Sequence, residues 1–125
     1  MQNEIRKKVL AYCDAVERQD KEAFRRLFDR NAALISIATL FDGIGAITDG
    51  FLGKIGEAYR SIRLIPKDIS IRLRDDTTAI VIFRYHTECI RRDDGSDYGI
   101  AGLETQVFQR TDGDWKIIHL HYSKA

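Results

Sequence analysis

The second half of the chain is a succession of segments with period-two patterning: Asp68 to Arg74, Thr78 to Arg91, Tyr98 to Arg110 and Trp115 to Lys124. They are parted by Asp75-Asp76, Asp93-Asp94-Gly95-Ser96 and Asp112-Gly113-Asp114. Successive side chains on a strand point to opposite faces, and acid- and glycine-rich turns tolerate the positive φ of tight hairpins, so the pattern predicts an antiparallel meander of long strands. Long strands twist, and a sheet built from them curls.

The first half has a different period. Ile5, Val9, Tyr12, Cys13 and Val16 fall on one stripe of a helix over residues 3 to 19, with Asn3 as its expected cap. Asp20 stops that pattern and caps a short second helix, in which Ala23, Phe24, Leu27 and Phe28 share a face. The apolar run Ala32 to Ala38 predicts a strand, and Thr39 to Thr48 a loop or short hairpin. A third helix is expected from about Asp49 to Ile62, carrying Phe51, Leu52, Ile55, Tyr59 and Ile62 and weakened by Gly53 and Gly56, with Pro66 ending the region. Helices followed by long strands give an α+β domain: three N-terminal helices covering the concave face of a curled antiparallel sheet, with a cone-shaped cavity whose mouth can hold a small ligand.

A chain of 125 residues makes one domain and buries a core without staples. Twenty basic residues against nineteen acidic leave a formal charge of +1, too small a bias to draw nucleic acid or an anionic membrane. Cys13 and Cys89 lie in separate apolar segments and read as two buried thiols, which suits a reducing cytoplasm. The opening residues are amphipathic, with no apolar core of a secretory signal, and no apolar run approaches the ~20 residues of a membrane span. No phosphate loop, dinucleotide fingerprint or Cys-x-x-Cys pair occurs, and no cofactor is implied.

The order helix, helix, strand, glycine-containing loop, helix and meander resembles the nuclear transport factor 2-like superfamily, in particular its SnoaL-like members. The ending Glu104-Thr105-Gln106-Val107-Phe108, the turn at Asp112-Gly113, then Trp115, Ile118-His119, His121 and Ser123 resembles the calcium/calmodulin-dependent kinase II association domain. That resemblance implies a cone whose arginine-lined pocket accepts small carboxylates, and assembly into rings. Arg84 matches one of the arginines, while Gln106 and Tyr122 stand where two others would be. Isomerases and cyclases of the superfamily use an aspartate base and an acid pair of tyrosine and protonated aspartate. Tyr12 stands for that tyrosine here, but Ala33 to Ile37 offers no carboxylate, and Asp42 is the nearest acid.

Strand parity then divides the meander into faces. With Arg84 inside by resemblance, Ile80, Ile82, His86 and Glu88 go with it, joined by Glu104, Gln106 and Phe108 and by Ile118, Leu120 and Tyr122. The expected ligand-contacting set is Arg84, His86, Glu88, Glu104, Gln106 and Tyr122, with Tyr59 from the third helix. A small carboxylate or ketone is the expected ligand, and if the protein is an isomerase, cyclase or dehydratase, His86 is the candidate base and Tyr12 or Tyr122 the hydrogen-bond donor. The competing reading is a neutralised network in which Glu88 or Glu104 pairs with Arg84. Trp115, Ile117, His119 and His121 are expected on the outer face with Phe83 and Tyr85, where a second copy covers them in a homodimer. No metal site is expected from the two histidines, and a larger hub-like ring is the alternative assembly.

Overall fold

The computed structural model describes residues 1–125. Helix α1 spans Gln2–Arg18 and buries Ile5, Val9, Tyr12, Cys13, Ala15 and Val16, the stripe read from the sequence with Ala15 added. Its first helical residue lies before Asn3, which is therefore inside the helix and not its cap. Gln19 adopts a left-handed conformation at φ 53° and closes the helix. Asp20 then accepts a 3.1 Å hydrogen bond from Ala23 N and starts α2, Lys21–Arg26.

Strands β1 (Phe28–Ser36) and β2 (Thr39–Asp42) form a hairpin, so β1 begins four residues earlier than the apolar run suggested. The third helix is shorter and less regular than its spacing predicts. A π-helical stretch, Ala46–Leu52, passes into α3, Gly53–Ala58, and β3 takes over at Tyr59. Gly56 admits a close neighbour, since a Cβ there would lie 2.4 Å from Gln19 Oε1, whereas Gly53 faces open space.

β3 runs from Tyr59 to Leu73, straight through Pro66. Proline ended the region in the sequence reading because its ring disfavours helix in the preceding residue. In the fold it sits on the edge strand of the sheet, where a missing N–H removes no ladder bond to a second neighbour. A register shift between Lys67 and Ser70, with Asp68 at φ 56°, bends the strand just beyond it. The remaining strands are β4 (Thr78–Arg91), the short β5 (Asp97–Tyr98), β6 (Ala101–Thr111) and β7 (Asp114–Tyr122). The last hairpin turns at Asp112 and Gly113, with φ 53° and 79°, as its sequence demands.

The sheet order is β2-β1-β7-β6-β4-β3, with β5 added to β4. It is mixed and not wholly antiparallel, because β1 pairs with β7 in parallel. The three helices and the curled sheet make the α+β cone. Helix α1 is tied to the sheet by Glu17, whose Oε1 accepts a 3.1 Å hydrogen bond from Leu64 N. Both cysteines are free and buried. No helix is long and apolar enough to cross a membrane.

Parity on β4 is opposite to the expected one. Ala79, Val81, Phe83, Tyr85 and Cys89 are buried, while Arg84, His86 and Glu88 are exposed. β7 does not keep one parity. Its pairing with β6 jumps from Phe108↔Ile117 to Val107↔His119, which leaves Ile118 as an extra residue. That bulge puts Trp115 and Ile117 on the same inner face as Leu120 and Tyr122, while His119 and His121 face outward. Trp115 is 1% exposed and Ile117 0%, so both belong to the core of the single chain and not to an outer patch. Trp115→Ala is therefore expected to cost roughly 3–5 kcal/mol, the range of a core aromatic. Urea denaturation reads this directly, and a loss under about 0.5 kcal/mol would return Trp115 to the surface.

Candidate functional site

The cone encloses a cavity of about 350 Å³, within the range of small-ligand sites. Helix α1 contributes Tyr12 and Val16 to its wall, and the π-helical stretch and α3 contribute Phe51, Lys54, Ile55 and Ala58. The β1–β2 hairpin supplies Ser36, Ile37, Thr39 and Phe41, and the sheet supplies Tyr59, Ile62, Leu64, Tyr85, Thr87, Cys89, Tyr98, Ile100, Glu104 and Tyr122. Fifteen of these twenty residues are apolar or aromatic, so polar groups fix a ligand's orientation and the walls supply contact area.

Register assembles the polar pole. Ser36 pairs with Tyr122 across β1 and β7, Tyr122 with Glu104 across β7 and β6, and Glu104 with Phe83 across β6 and β4. One rung of the sheet thus carries a hydroxyl, a phenol and a carboxyl side by side. The Ser36 and Tyr122 hydroxyls share a short hydrogen bond. Tyr85 donates to Ser123 O at 2.8 Å, with Gly102 leaving room: a Cβ at that position would lie 1.9 Å from the same carbonyl oxygen.

Glu104 is the one carboxyl of the cavity wall, and it is 1% exposed. Gln106, two residues along on the same face, donates from Nε2 to Glu104 Oε2 at 2.7 Å, and its own Oε1 has no partner. Burial pushes the Glu104 carboxyl up to about 8 against the pull of the Gln106 hydrogen bond, so at neutral pH it is mostly protonated. A buried carboxylic acid can donate a hydrogen bond as well as accept one. Tyr12 is likewise buried, and its pKa is raised by burial first and by the Glu104 charge next, so the two groups lie close. Burial also raises the Cys13 thiol to about 12 and the Cys89 thiol less far, which leaves neither as a thiolate nucleophile near neutral pH.

Of the residues expected to meet a ligand, the structure brings Tyr12, Tyr59, Glu104 and Tyr122 to the cavity wall. Tyr59 arrives from β3 and not from a helix. Gln106 is buried behind Glu104. Arg84, His86 and Glu88 are not in the cavity: their side chains keep 68%, 50% and 56% of their surface in water on the opposite face of β4. There Glu88 meets Arg63 at 3.1 Å and His86 at 3.8 Å, and Arg84 comes within 4.0 Å of Asp68. The neutralised network is thus a surface one, and neither Glu104 nor an internal arginine takes part in it. Tyr85, Tyr98 and Ser36 were missed as cavity residues. The signal for Tyr85 was the run Val81, Phe83, Tyr85, whose bulk marks the buried face better than Arg84 does.

A family model for the SnoaL-like domain matches residues 5–125. Among solved structures, a nuclear transport factor 2-like superfamily protein from Salmonella enterica superposes with a TM-score of 0.92 at 24% identity, covering 98% of this chain and 89% of that one. A hexachlorocyclohexane dehydrochlorinase from Novosphingobium barchaimii gives 0.89 at 12% identity, with 98% and 85% covered. A candidate calcium/calmodulin-dependent protein kinase II association domain from Xanthomonas campestris gives 0.78 at 18% identity, with 91% and 80% covered. At these identities the likeness is one of fold. No curated protein matches the chain in sequence.

The Glu104 carboxyl has a consequence for stability. Its folded pKa, about 8, lies above its ordinary 4.5, so the folded state holds this proton more tightly than the unfolded chain. The contribution is complete below about pH 4.5 and is lost as pH rises through about 8. Between pH 5 and 9 the wild type should lose roughly 3–5 kcal/mol through this one group. Chemical denaturation at several pH values is expected to show that Glu104→Gln removes this slope, and parallel profiles for the two proteins would contradict the assignment.

Proposed function

The chain belongs to the SnoaL-like domain family, and from that premise we propose that it binds a small, mostly apolar molecule inside the cone, oriented by Glu104, Tyr12 and the Ser36–Tyr122 hydroxyl pair. The observation that carries this reading is the cavity itself: a rung of polar groups at one pole and aromatic or aliphatic walls elsewhere. Of the residues expected from sequence, Glu104, Tyr12 and Tyr122 are kept as anchors in this reading, and Arg84 and His86, exposed on the opposite face of β4, are not. Without an internal arginine, a carboxylate ligand has no partner at that pole, and a neutral group such as a ketone fits it better. Two free buried thiols suit a protein of the reducing cytoplasm.

A second reading, acid–base catalysis on a small ketone, is favoured by one observation: a carboxyl raised to about 8 beside a buried tyrosine. A general acid and base works best when its pKa lies near the operating pH, and a protonated carboxyl with a phenol makes a donor pair for an enolate oxygen. A hexachlorocyclohexane dehydrochlorinase among the structural neighbours supports this reading. On this reading Glu104, and not His86, is the group that exchanges the proton.

The outer face of the sheet carries Ile80, Ile82, Leu103, Val107 and Ile118 amid Arg84, His86, Glu88, His119 and His121. Leu103 keeps 46% of its surface exposed. This face is proposed as the homodimer contact, with His119 and His121 in it and Trp115 beneath it in the core.

Thermal-shift measurements with compact ketones and alcohols test the pocket. Stabilisation is expected, and Tyr12→Phe should weaken binding by about 0.5–1.5 kcal/mol, the value of one hydrogen bond. Absence of any shift across the panel would reject the pocket. Light scattering tests the outer face: the wild type should be a dimer and Leu103→Glu a monomer, while a ring of ten or more subunits would favour the hub-like assembly.

A further inference from the structure

Charge decides what kind of molecule the cavity is built to hold. Glu104 has no counter-charge: burial and the Gln106 hydrogen bond are the two influences on it, and no cation is among them. The groups that face it are neutral at ordinary pH, namely Tyr12 and Cys13 from α1, Tyr85 from β4 and Tyr122 from β7. Lys54 is the one cationic side chain on the cavity wall, and it is an exposed residue whose ammonium lies 5.6 Å from the centre of the Phe41 ring. A buried carboxyl with no counter-charge either keeps its proton or takes in a cation, because the ionised form alone is too costly to desolvate.

The walls point the same way. All five tyrosines of the chain line this cavity. Aromatic faces attract cations through the ring quadrupole, and phenol oxygens add hydrogen-bond acceptors. Arg91 already rests on the face of Tyr98 at 4.2 Å, and Tyr98 stacks on Tyr59 at 5.8 Å. A tyrosine-walled space with a single internal carboxyl and no internal cation is complementary to a positive ligand. A carboxylate ligand would instead set a second negative charge against Glu104.

We propose that the cavity binds an organic amine, a compact apolar body carrying a protonated nitrogen that pairs with the Glu104 carboxylate among the tyrosine rings. This rests on the ligand-pocket reading above and names its ligand class. The proton balance is simple. The empty cavity holds Glu104 as the acid; when the ammonium enters, the carboxyl proton leaves to solvent and a carboxylate–ammonium pair of zero net charge remains. Lys54, of the same sign as the ligand and placed at the exposed end, opposes entry weakly and disfavours no acid.

Benzylamine, benzyl alcohol and benzoate have similar size and differ in charge, which makes them suitable probes for calorimetry at pH 7 in two buffers of different ionisation enthalpy. Benzylamine is expected to bind at least tenfold more tightly than benzyl alcohol, with benzoate weakest and about one proton released per benzylamine bound. Glu104→Gln should abolish the proton release and bring the amine level with the alcohol. Lys54→Gln should tighten the amine and weaken benzoate. If the alcohol or benzoate binds as tightly as the amine, or the amine binds without proton release, the amine proposal is overturned while the pocket reading stands. If none of the three binds, both fall.

Discussion

The pleat of a β-sheet gives each side chain two directions to point, and every feature of this molecule depends on how that choice is made along β4, β6 and β7. One residue, Ile118, lies outside the ladder between β6 and β7. Without it, Trp115 and Ile117 would face outward whenever Leu120 and Tyr122 faced inward. With it, Trp115, Ile117 and Leu120 fill the core and Tyr122, at the end of the same strand, lines the cavity. A local irregularity therefore lets one strand serve both packing and binding.

Register turns that choice into a site. Ser36, Tyr122, Glu104 and Phe83 come from four different strands, yet they occupy one rung. The parallel pairing of β1 with β7 brings Ser36 to Tyr122, and the antiparallel pairing of β7 with β6 brings Tyr122 to Glu104. Helix α1 closes the space with Tyr12, and its tie through Glu17 to β3 holds that wall in place. The chemistry follows from enclosure: the same carboxyl in water would be an ordinary ionised glutamate, and desolvation is what makes it an acid near neutral pH.

Much of the architecture was legible in the sequence. The helical stripe of α1, the Asp20 cap, the bounds of β4 and the turn at Asp112-Gly113 all follow from local patterns that the fold does not override. The failures share a cause. Spacing of three and four residues persists across the junction and carries the expected third helix into Tyr59 and Ile62, but those residues find ladder partners in β4. Pro66 reads locally as an end, since nothing local says that β3 lies at the sheet edge. The resemblance sets the inner face of β4 by one arginine, Arg84, whereas the buried aromatic side chains of Phe83 and Tyr85 carry more of the packing free energy.

The sequence by itself determined the α+β class, the number and order of most elements, the SnoaL-like resemblance, and Glu104, Tyr12, Tyr59 and Tyr122 as residues of interest. The class and the elements depend on periodicity, turn chemistry and composition, which act over a few residues, while those four residues follow from the resemblance and the strand parity anchored on it. Only the tertiary structure decided that Arg84, His86 and Glu88 stand in water, that Trp115 is core, and that the cavity has a carboxyl and no internal cation. Those outcomes depend on a bulge, on a parallel pairing between the first and last strands, and on burial. Such long-range effects change the face a residue presents and its charge state without altering any local pattern.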